Sequence, residues 1–368
     1  MPTSSASPDP LNVSKATGWL SRFGTRVRQD SQFLRHVIQA AFVLLCLWIG
    51  VEFWLFTRWG LSGGVEAYVP RPPGAEGFLP ISALMSLWHW FLSGTLNTIH
   101  PASVFILVAI LAIGLFLKKG FCSWLCPVGT LSEALWRLGR RLFGRNPALP
   151  RWLDILFRGL KYFFLAFFLW AIFGMFEQQL AFFLHSPYNR MADVKMYLFF
   201  ARISGTGLIV LAILGALSVV VQNPWCRYLC PYGALLGFIS LLSPLKITRR
   251  ASTCIDCGKC TRVCPARIKV HQVQRVRSDD CTGCYSCVAA CPVKDTLTMA
   301  APQARTVPVP VYAALLVGLF VAITGAAMLA GRWQSSITRE EYLRRLPQMD
   351  TPLYDHGRGQ VAPYGPED

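Results

Sequence analysis

The sequence has little charge, and acidic charge is its scarcest kind. Only 15% of its 368 residues are Asp, Glu, Lys or Arg, whereas a typical soluble domain has about 25%. Hydrophobic residues make up 53%, and Lys and Arg outnumber Asp and Glu by 36 to 19. This composition argues against a soluble globular protein and predicts a membrane protein with basic cytoplasmic loops. Because the basic residues flank apolar segments, we predict membrane lipid and no nucleic acid among its partners.

Signatures of several enzyme and targeting classes are missing as well. The chain has no glycine-rich nucleotide fingerprint, no zinc-protease motif and no hydrolase triad signature. It therefore predicts no flavin or nicotinamide site of its own. The first ten residues are polar, and the apolar run that begins near Val37 is too long for the core of a signal peptide, so we predict no secretory signal.

Cysteine is abundant by contrast, and eight of the 13 cysteines lie in one short stretch. The runs CIDCGKCTRVCP and CTGCYSCVAACP both read C-x-x-C-x-x-C-x-x-x-C-P. In this pattern three cysteines hold one 4Fe–4S cluster, and the fourth, before the proline, holds the other cluster. Two zinc sites are the alternative, although structural zinc uses two separated C-x-x-C pairs. Disulfides are not expected, because cluster ligands must stay reduced.

The spacing assigns the eight cysteines to two clusters. The ligands of cluster 1 are predicted to be Cys254, Cys257, Cys260 and Cys291. The ligands of cluster 2 are predicted to be Cys281, Cys284, Cys287 and Cys264.

A second cysteine motif occurs twice and indicates an internal repeat. CSWLCPVGTL (residues 122–131) and CRYLCPYGAL (residues 226–235) match at six of ten positions, and each follows an apolar run. A parallel repeat would bring both motifs together at the inner membrane face. The thiols concerned are Cys122, Cys126, Cys226 and Cys230. They could hold a third cluster, bind copper(I) or cycle as dithiols; small packing residues are the alternative without chemistry.

Hydropathy and charge predict the path of the chain through the membrane. The five predicted spans are approximately 37–56, 101–117, 160–176, 198–221 and 309–330. The apolar segment Phe78–Leu92 has only fifteen residues, which predicts an interfacial or re-entrant helix. Residues 118–161 carry nine Lys and Arg and are therefore placed inside, with loops 57–99 and 177–197 outside. The N-terminus is then inside and the C-terminus outside.

The predicted fold class is thus an α-helical polytopic membrane protein with an inserted small α+β dicluster ferredoxin. Its predicted parts are a cytoplasmic N-terminal segment (1–35), a four-helix membrane domain with both C-x-x-x-C-P motifs (36–245) and the ferredoxin module (246–302). A fifth transmembrane helix (309–330) and an outer tail (331–368) follow.

Three polar residues in or near apolar segments are ambiguous. Glu52, near the outer end of the first span, is either functional or interfacial. His89 and His100 are candidate haem ligands, but no spaced partner histidine lies inside a span, which favours interfacial or capping roles.

The combined motifs resemble those of a known family. GFCSWLCPVGTLSE, WCRYLCPYGALLG and the double ferredoxin run together are similar to the membrane polyferredoxins of the NapH, NosR and CcoG type, over roughly residues 36–302. The flavin-binding outer domain of NosR and the C-terminal outer domain of CcoG have no counterpart, since only residues 331–368 stand at the C-terminus.

The resemblance implies a bacterial inner-membrane protein that passes electrons between a quinol pool or cytoplasmic donor and a respiratory or periplasmic system. A bound quinone and redox partner proteins are part of that expectation, and an electron carrier is expected in preference to a stand-alone enzyme. Two alternatives stay open: a CcoG-like copper reductase or maturation factor for a metalloenzyme, and a redox-sensing regulator.

Overall fold

The computed structural model describes residues 30–302, 305–357 and 360–365, most of which are helical. The N-terminal helices are α1 (Ser31–Leu61), α2 (Pro80–Ser93), α3 (Pro101–Phe116), α4 (Gly120–Trp124), α5 (Pro127–Phe143) and α6 (Arg151–Phe173). The central helices are α7 (Glu177–His185), α8 (Pro187–Arg190), α9 (Ala192–Ala201), α10 (Gly205–Val220) and α11 (Pro231–Leu242). The remaining helices are α12 (Lys259–Arg262), α13 (Ser286–Ala289), α14 (Val309–Leu329) and α15 (Arg339–Arg345). The strands are β1 (Lys246–Arg249), β2 (Leu297–Ala300), β3 (His356–Gly357) and β4 (Gln360–Val361). The predictions for residues 1–29 lie outside the described residues.

Among the described residues, three helices are long and apolar enough to cross a membrane, namely α1, α6 and α14. Helices α9 and α10 together form a fourth candidate, bent by 80° at the break between them. The predicted span 101–117 corresponds to α3, which has 16 residues, whereas about 20 are needed to cross a bilayer. The protein is therefore mostly helical with three to four candidate spans, and the count of five stays a prediction.

Helix α3 is the centre around which the other helices pack. Its apolar side chains are buried on most sides, for example Ala102, Ile110 and Ile113, and it contacts α2, α11 and α14. The segment predicted to be interfacial or re-entrant forms α2, which begins with Pro80 in its first turn and ends at Gly94 in the left-handed conformation. Proline in the first turn and a left-handed glycine after the last turn are both common at the ends of helices.

The two ends of the ferredoxin module pair with each other. β1 and β2 are antiparallel, with Lys246 opposite Ala300 and Arg249 opposite Leu297. Between these strands the chain makes the two cysteine runs and the one-turn helices α12 and α13. Apolar residues such as Met299 fill the small core between the runs.

The C-terminal segment is folded, although the sequence predicted only a short polar tail. Tyr342, Leu346 and Met349 share a buried cluster with Phe53 and Phe56 of α1. Their spacing places these side chains on one face of α15 and the turn that follows it. The segment also contacts both loops that the sequence placed on the same side as the C-terminus, through Arg190–Glu341 at 2.8 Å and a hydrogen bond from Ser335 to the carbonyl of Ile99.

A fully buried ion network lies beneath this C-terminal segment. Arg71 binds Asp193 at 2.6 Å and Glu76 at 2.8 Å. The Nδ1 atom of His100 accepts a hydrogen bond from Arg71 at 3.3 Å, and its Nε2–H group donates one to the carbonyl of Asn189 at 2.6 Å. Both nitrogens of His100 are thus engaged by protein, so it has a structural role here and not that of a haem ligand.

The other two ambiguous residues lack a comparable network. His89 is buried on α2, and its ring lies 3.4 Å from the hydroxyl of Ser93. Glu52 is half-buried on α1 and has no hydrogen bond or ion pair with any described residue. Neither observation adds to the functional interpretation of these residues.

Candidate metal centres

The eight cysteines of the ferredoxin module line two separate cavities. The first cavity contains Cys254, Cys257, Cys260 and Cys291 in its wall. The second contains Cys264, Cys281, Cys284 and Cys287. Each cavity thus takes its fourth cysteine from the other run. This grouping equals the one predicted for two clusters, and four thiols around a cavity fit a cubane; the ligand assignment itself stays a prediction.

The backbone beside the middle cysteine of each run has the same uncommon conformation. Asp256 and Gly258 have φ angles of 48° and 67°, and Gly283 and Tyr285 have φ angles of 61° and 58°. The left-handed region is free for glycine but costs other residues about 1–2 kcal/mol. Both loops therefore keep a strained non-glycine residue next to a cysteine. Such a curl turns the three cysteines of one run toward a common cavity.

Burial makes the metal-free thiols weak acids. Burial raises the pKa of Cys264 to about 12, against the opposing effect of hydrogen bonds from the backbone N–H groups of Ala266 and Ile268. Cluster or metal binding must therefore displace protons from these thiols. The same N–H donors would stabilise thiolate sulfur, which is one of the means by which a protein sets the potential of a cluster.

The two cysteine sets differ in their surroundings. Ile255, beside the first cysteine of the first set, is 65% exposed, and this set faces solvent. The second set lies against the membrane helices. Ser123 donates a hydrogen bond to the carbonyl of Thr282 at 2.7 Å, and Trp124 donates to the carbonyl of Gly283 at 3.1 Å. The second cavity is thereby fastened to the first C-x-x-x-C-P motif.

Each C-x-x-x-C-P motif forms a break between two helical segments. Cys126 caps α5, with its sulfur 3.5 Å from the N–H of Gly129, and Cys230 caps α11, with its sulfur 3.2 Å from the N–H of Gly233. A proline follows each cysteine at the first helical position. In the second motif the residues before Cys230 form a single π-helical turn, Trp225–Leu229, a feature often found at functional sites.

The four thiols of these motifs lie close enough to interact electrostatically. Burial raises the pKa of Cys226, and the neighbouring thiols Cys126, Cys230 and Cys122 raise it further. Burial likewise raises the pKa of Cys122 to about 12 and that of Cys126 to about 11. Cys122 and Cys226, one from each motif, also line the same cavity. That all four thiols form one site stays a prediction.

A larger cavity connects the two kinds of site. Its wall contains Cys122 and Cys226 from the C-x-x-x-C-P motifs and Cys284 from the ferredoxin module. Charged side chains such as Lys119 and Arg227 form part of the wall, beside apolar residues. The two cysteine systems thus share one chamber.

Sequence reasoning missed the residues that fasten the ferredoxin module to α6. Lys161 binds Asp280 at 2.6 Å, Arg158 binds the same carboxylate at 2.9 Å, and Tyr162 donates a hydrogen bond to Asp279. The available signal was the pair of aspartates directly before Cys281 in an otherwise basic module. A lysine close to the predicted start of the third span was the second signal.

No three or more His, Cys, Asp or Glu side chains in the described part of the chain are arranged to hold a single metal ion. In a cubane each thiolate binds a different iron atom, so the four ligands surround the whole cluster and do not converge on one atom. Four-cysteine zinc requires that convergence.

Comparison with known proteins agrees with this geometry. A family model described as a 4Fe-4S binding domain matches residues 99–146 and again residues 203–250. The second match confirms the internal repeat. A model described as a 4Fe-4S dicluster domain matches residues 246–292. No solved structure matches the chain.

Curated relatives extend the likeness over the whole chain. The Escherichia coli protein named "Putative electron transport protein YccM" is 43% identical over 355 residues, which cover 93% of this chain and 99% of that protein. "Protein NirI" of Paracoccus denitrificans is 29% identical over 61% of this chain and 30% of its own length. "Ferredoxin-type protein NapH" of Haemophilus influenzae is 29% identical over 50% of this chain and 59% of its own length. The chain therefore belongs to the NapH/NosR-type membrane polyferredoxins, iron–sulfur proteins of electron transfer.

Proposed function

We propose that the protein relays electrons between a quinol pool or cytoplasmic donor and a respiratory or periplasmic redox system through two 4Fe–4S clusters. The observation that carries this proposal is the pair of cavities, each lined by four cysteines with the fourth supplied by the other run. A bound 4Fe–4S cluster supplies one-electron chemistry at a potential that its surroundings set. The chain supplies the thiols, the N–H donors and the exclusion of water.

The different surroundings of the two cysteine sets support a direction for the path. The first set is next to the exposed Ile255, where a soluble or membrane-bound partner can approach. The second set is packed against Ser123 and Trp124 and shares a chamber with Cys122 and Cys226. We therefore place cluster 1 at the partner-facing end of the path and cluster 2 at the membrane end.

The four thiols of the C-x-x-x-C-P motifs are proposed as a third metal site. The match of a 4Fe-4S binding domain over both motifs supports a cluster there. The chamber shared by Cys122, Cys226 and Cys284 favours a second candidate function, in which soft thiolates hold copper that the neighbouring cluster site reduces. Titration with copper separates the two, because changing all four cysteines to Ser should abolish binding and reduction if copper is the substrate.

We further propose five spans in a bacterial inner membrane, with the ferredoxin module cytoplasmic and the C-terminus periplasmic. The nine Lys and Arg of residues 118–161 support this orientation, as does the contact of residues 331–357 with both loops of low charge. Reporter fusions at the N- and C-termini should indicate opposite sides of the membrane. The same side for both would contradict five spans.

The cluster proposal is tested by metal analysis of protein purified without oxygen. We expect about eight iron atoms per chain for the two ferredoxin clusters, four for each, and about four more if the third site holds a cluster. Reduction with dithionite should give interacting paramagnetic signals. Cys284→Ser should lower the iron content and remove the signal of one cluster. Cys46→Ser is the matched control, because Cys46 lies on α1 away from both cavities. Zinc in place of iron would overturn the proposal.

A further inference from the structure

Lys119 is a buried lysine that lines the chamber shared by Cys122 and Cys226. It lies between α3 and α4, three residues before Cys122, and is only 3% exposed. Its ammonium makes no hydrogen bond or ion pair with any residue in the described ranges 30–302, 305–357 and 360–365. A charge removed from water is costly unless it is compensated.

The other buried cations nearby are all compensated. Lys118 donates a hydrogen bond to the carbonyl of Ser278 at 3.1 Å. Arg35 binds Glu133 at 2.6 Å, and Lys161 binds Asp280 at the same distance. Lys119 is therefore the exception in a region where every comparable group has an acceptor.

The position of Lys119 indicates what compensates it. Its Nζ lies 3.5 Å from the point where a Cβ on Gly233 would stand, beside the N-terminus of α11 that Cys230 caps. Among the causes that act on the neighbouring thiols, Lys119 favours the ionised form of Cys122, Cys226 and Cys230. The ammonium thus faces the four-thiol site. The Asp279 carboxylate feels its charge but makes no ion pair with it.

We propose that Lys119 is the counter-charge of a net-negative, thiolate-bound metal centre held by Cys122, Cys126, Cys226 and Cys230. Four thiolates outweigh the positive charge of a 4Fe–4S core, and two thiolates outweigh that of copper(I), so either centre is an anion. Reduction adds one electron to the centre and makes it more negative. A fixed cation beside it therefore favours the reduced form and raises the potential. This inference depends on the proposed third metal site, and it adds that the site is negatively charged and that Lys119 balances part of that charge.

The test compares three variants of the full-length protein. Lys119→Met removes the charge, Lys119→Arg keeps it, and Lys118→Met removes the adjacent charge that already has its own acceptor. The quantity measured is the midpoint potential of the centre whose signal disappears when Cys122 and Cys226 are changed to Ser. Metal analysis distinguishes the sources: iron beyond about eight atoms per chain indicates a third cluster, and bound copper indicates copper thiolate.

We expect Lys119→Met to lower the midpoint potential by an amount equal to at least a tenfold change in the one-electron equilibrium constant, about 59 mV. Lys119→Arg and Lys118→Met should keep the wild-type value. The iron of the two ferredoxin clusters reports correct folding in each variant, and Lys119→Gln replaces the Met variant if the latter does not accumulate. An unchanged potential in the charge-removing variant would overturn the inference. If the wild-type protein holds eight iron atoms and binds no copper, the inference fails while the two-cluster function stands.

Discussion

In the first copy of the repeat, Ser123 and Trp124 donate hydrogen bonds to the loop that contains Cys284. In the second copy, the residues at the same two positions bind α6 instead. Arg227 and Tyr228 both contact Asp154 there, at 2.9 Å and 2.7 Å. The positions shared by the copies build the helix break and its thiols. The positions that differ determine which element each motif contacts, the cysteine loop for the first copy and α6 for the second.

The largest effect is expected from breaking the attachment of the second copy. Asp154→Asn leaves the buried guanidinium of Arg227 without its counter-charge, which should cost about 3 kcal/mol, near the lower limit for breaking a buried pair. Thermal unfolding in detergent measures the loss. Asp350→Asn is the control, since its pair with Arg202 is solvent-exposed and should contribute less than about 1 kcal/mol. Equal losses for both variants would mean that Asp154 does not anchor the motif.

A smaller loss of stability is expected from substituting the glycine two residues after each C-P sequence, and the loss should differ between the two glycines. A Cβ at Gly129 would collide with the backbone carbonyl of Cys122, whereas a Cβ at Gly233 would lie 3.3 Å from the carbonyl of Cys226. Gly129→Ala should therefore destabilise the protein by about 2 kcal/mol, within the range for overpacked sites. Gly233→Ala should cost clearly less. The same unfolding measurement checks this, and the reverse order would show that the two breaks do not have the geometry described.

The smallest losses of stability are expected from removing single hydrogen bonds of the two motifs. These variants should nevertheless differ most clearly in the spectrum or potential of a cluster. Trp124→Phe and Tyr228→Phe each remove one hydrogen bond. The neutral bond of Trp124 is worth about 1 kcal/mol, and the bond of Tyr228 to the Asp154 carboxylate about 1.5 kcal/mol. Only the Trp124 bond ends on the cysteine loop of the second cavity, so only Trp124→Phe should shift the signal or potential of that cluster. Redox titration followed by paramagnetic resonance makes the comparison. A shift of equal size in Tyr228→Phe would refute the assignment of the two copies to different neighbours.

The features that the sequence predicted well are local. The spacing of cysteines within a run determines the loop, and the proline after Cys126 or Cys230 determines the start of a helix. The grouping of Cys264 and Cys291 with the opposite run also follows from the pattern, because a short helix carries each one across the module. Local rules of this kind do not depend on distant residues.

The features that the sequence did not predict join distant parts of the chain. The pair Arg71–Asp193 spans 122 residues and the pair Lys161–Asp280 spans 119, and no local pattern indicates such partners. The folded C-terminal segment depends in the same way on its contact with Phe53 and Phe56. The length of α3 has another cause: other helices enclose it, so its apolar length does not have to match a bilayer.

The pairing of Lys246 with Ala300 has an evolutionary consequence. Residues opposite one another in an antiparallel pair lie about 5 Å apart, so the chain leaves the ferredoxin module next to the point where it arrives. Such a module is a cassette: its gain, loss or exchange leaves the order and direction of the membrane helices unchanged. A membrane scaffold of this kind can acquire a new electron carrier by one insertion that keeps the order of its helices.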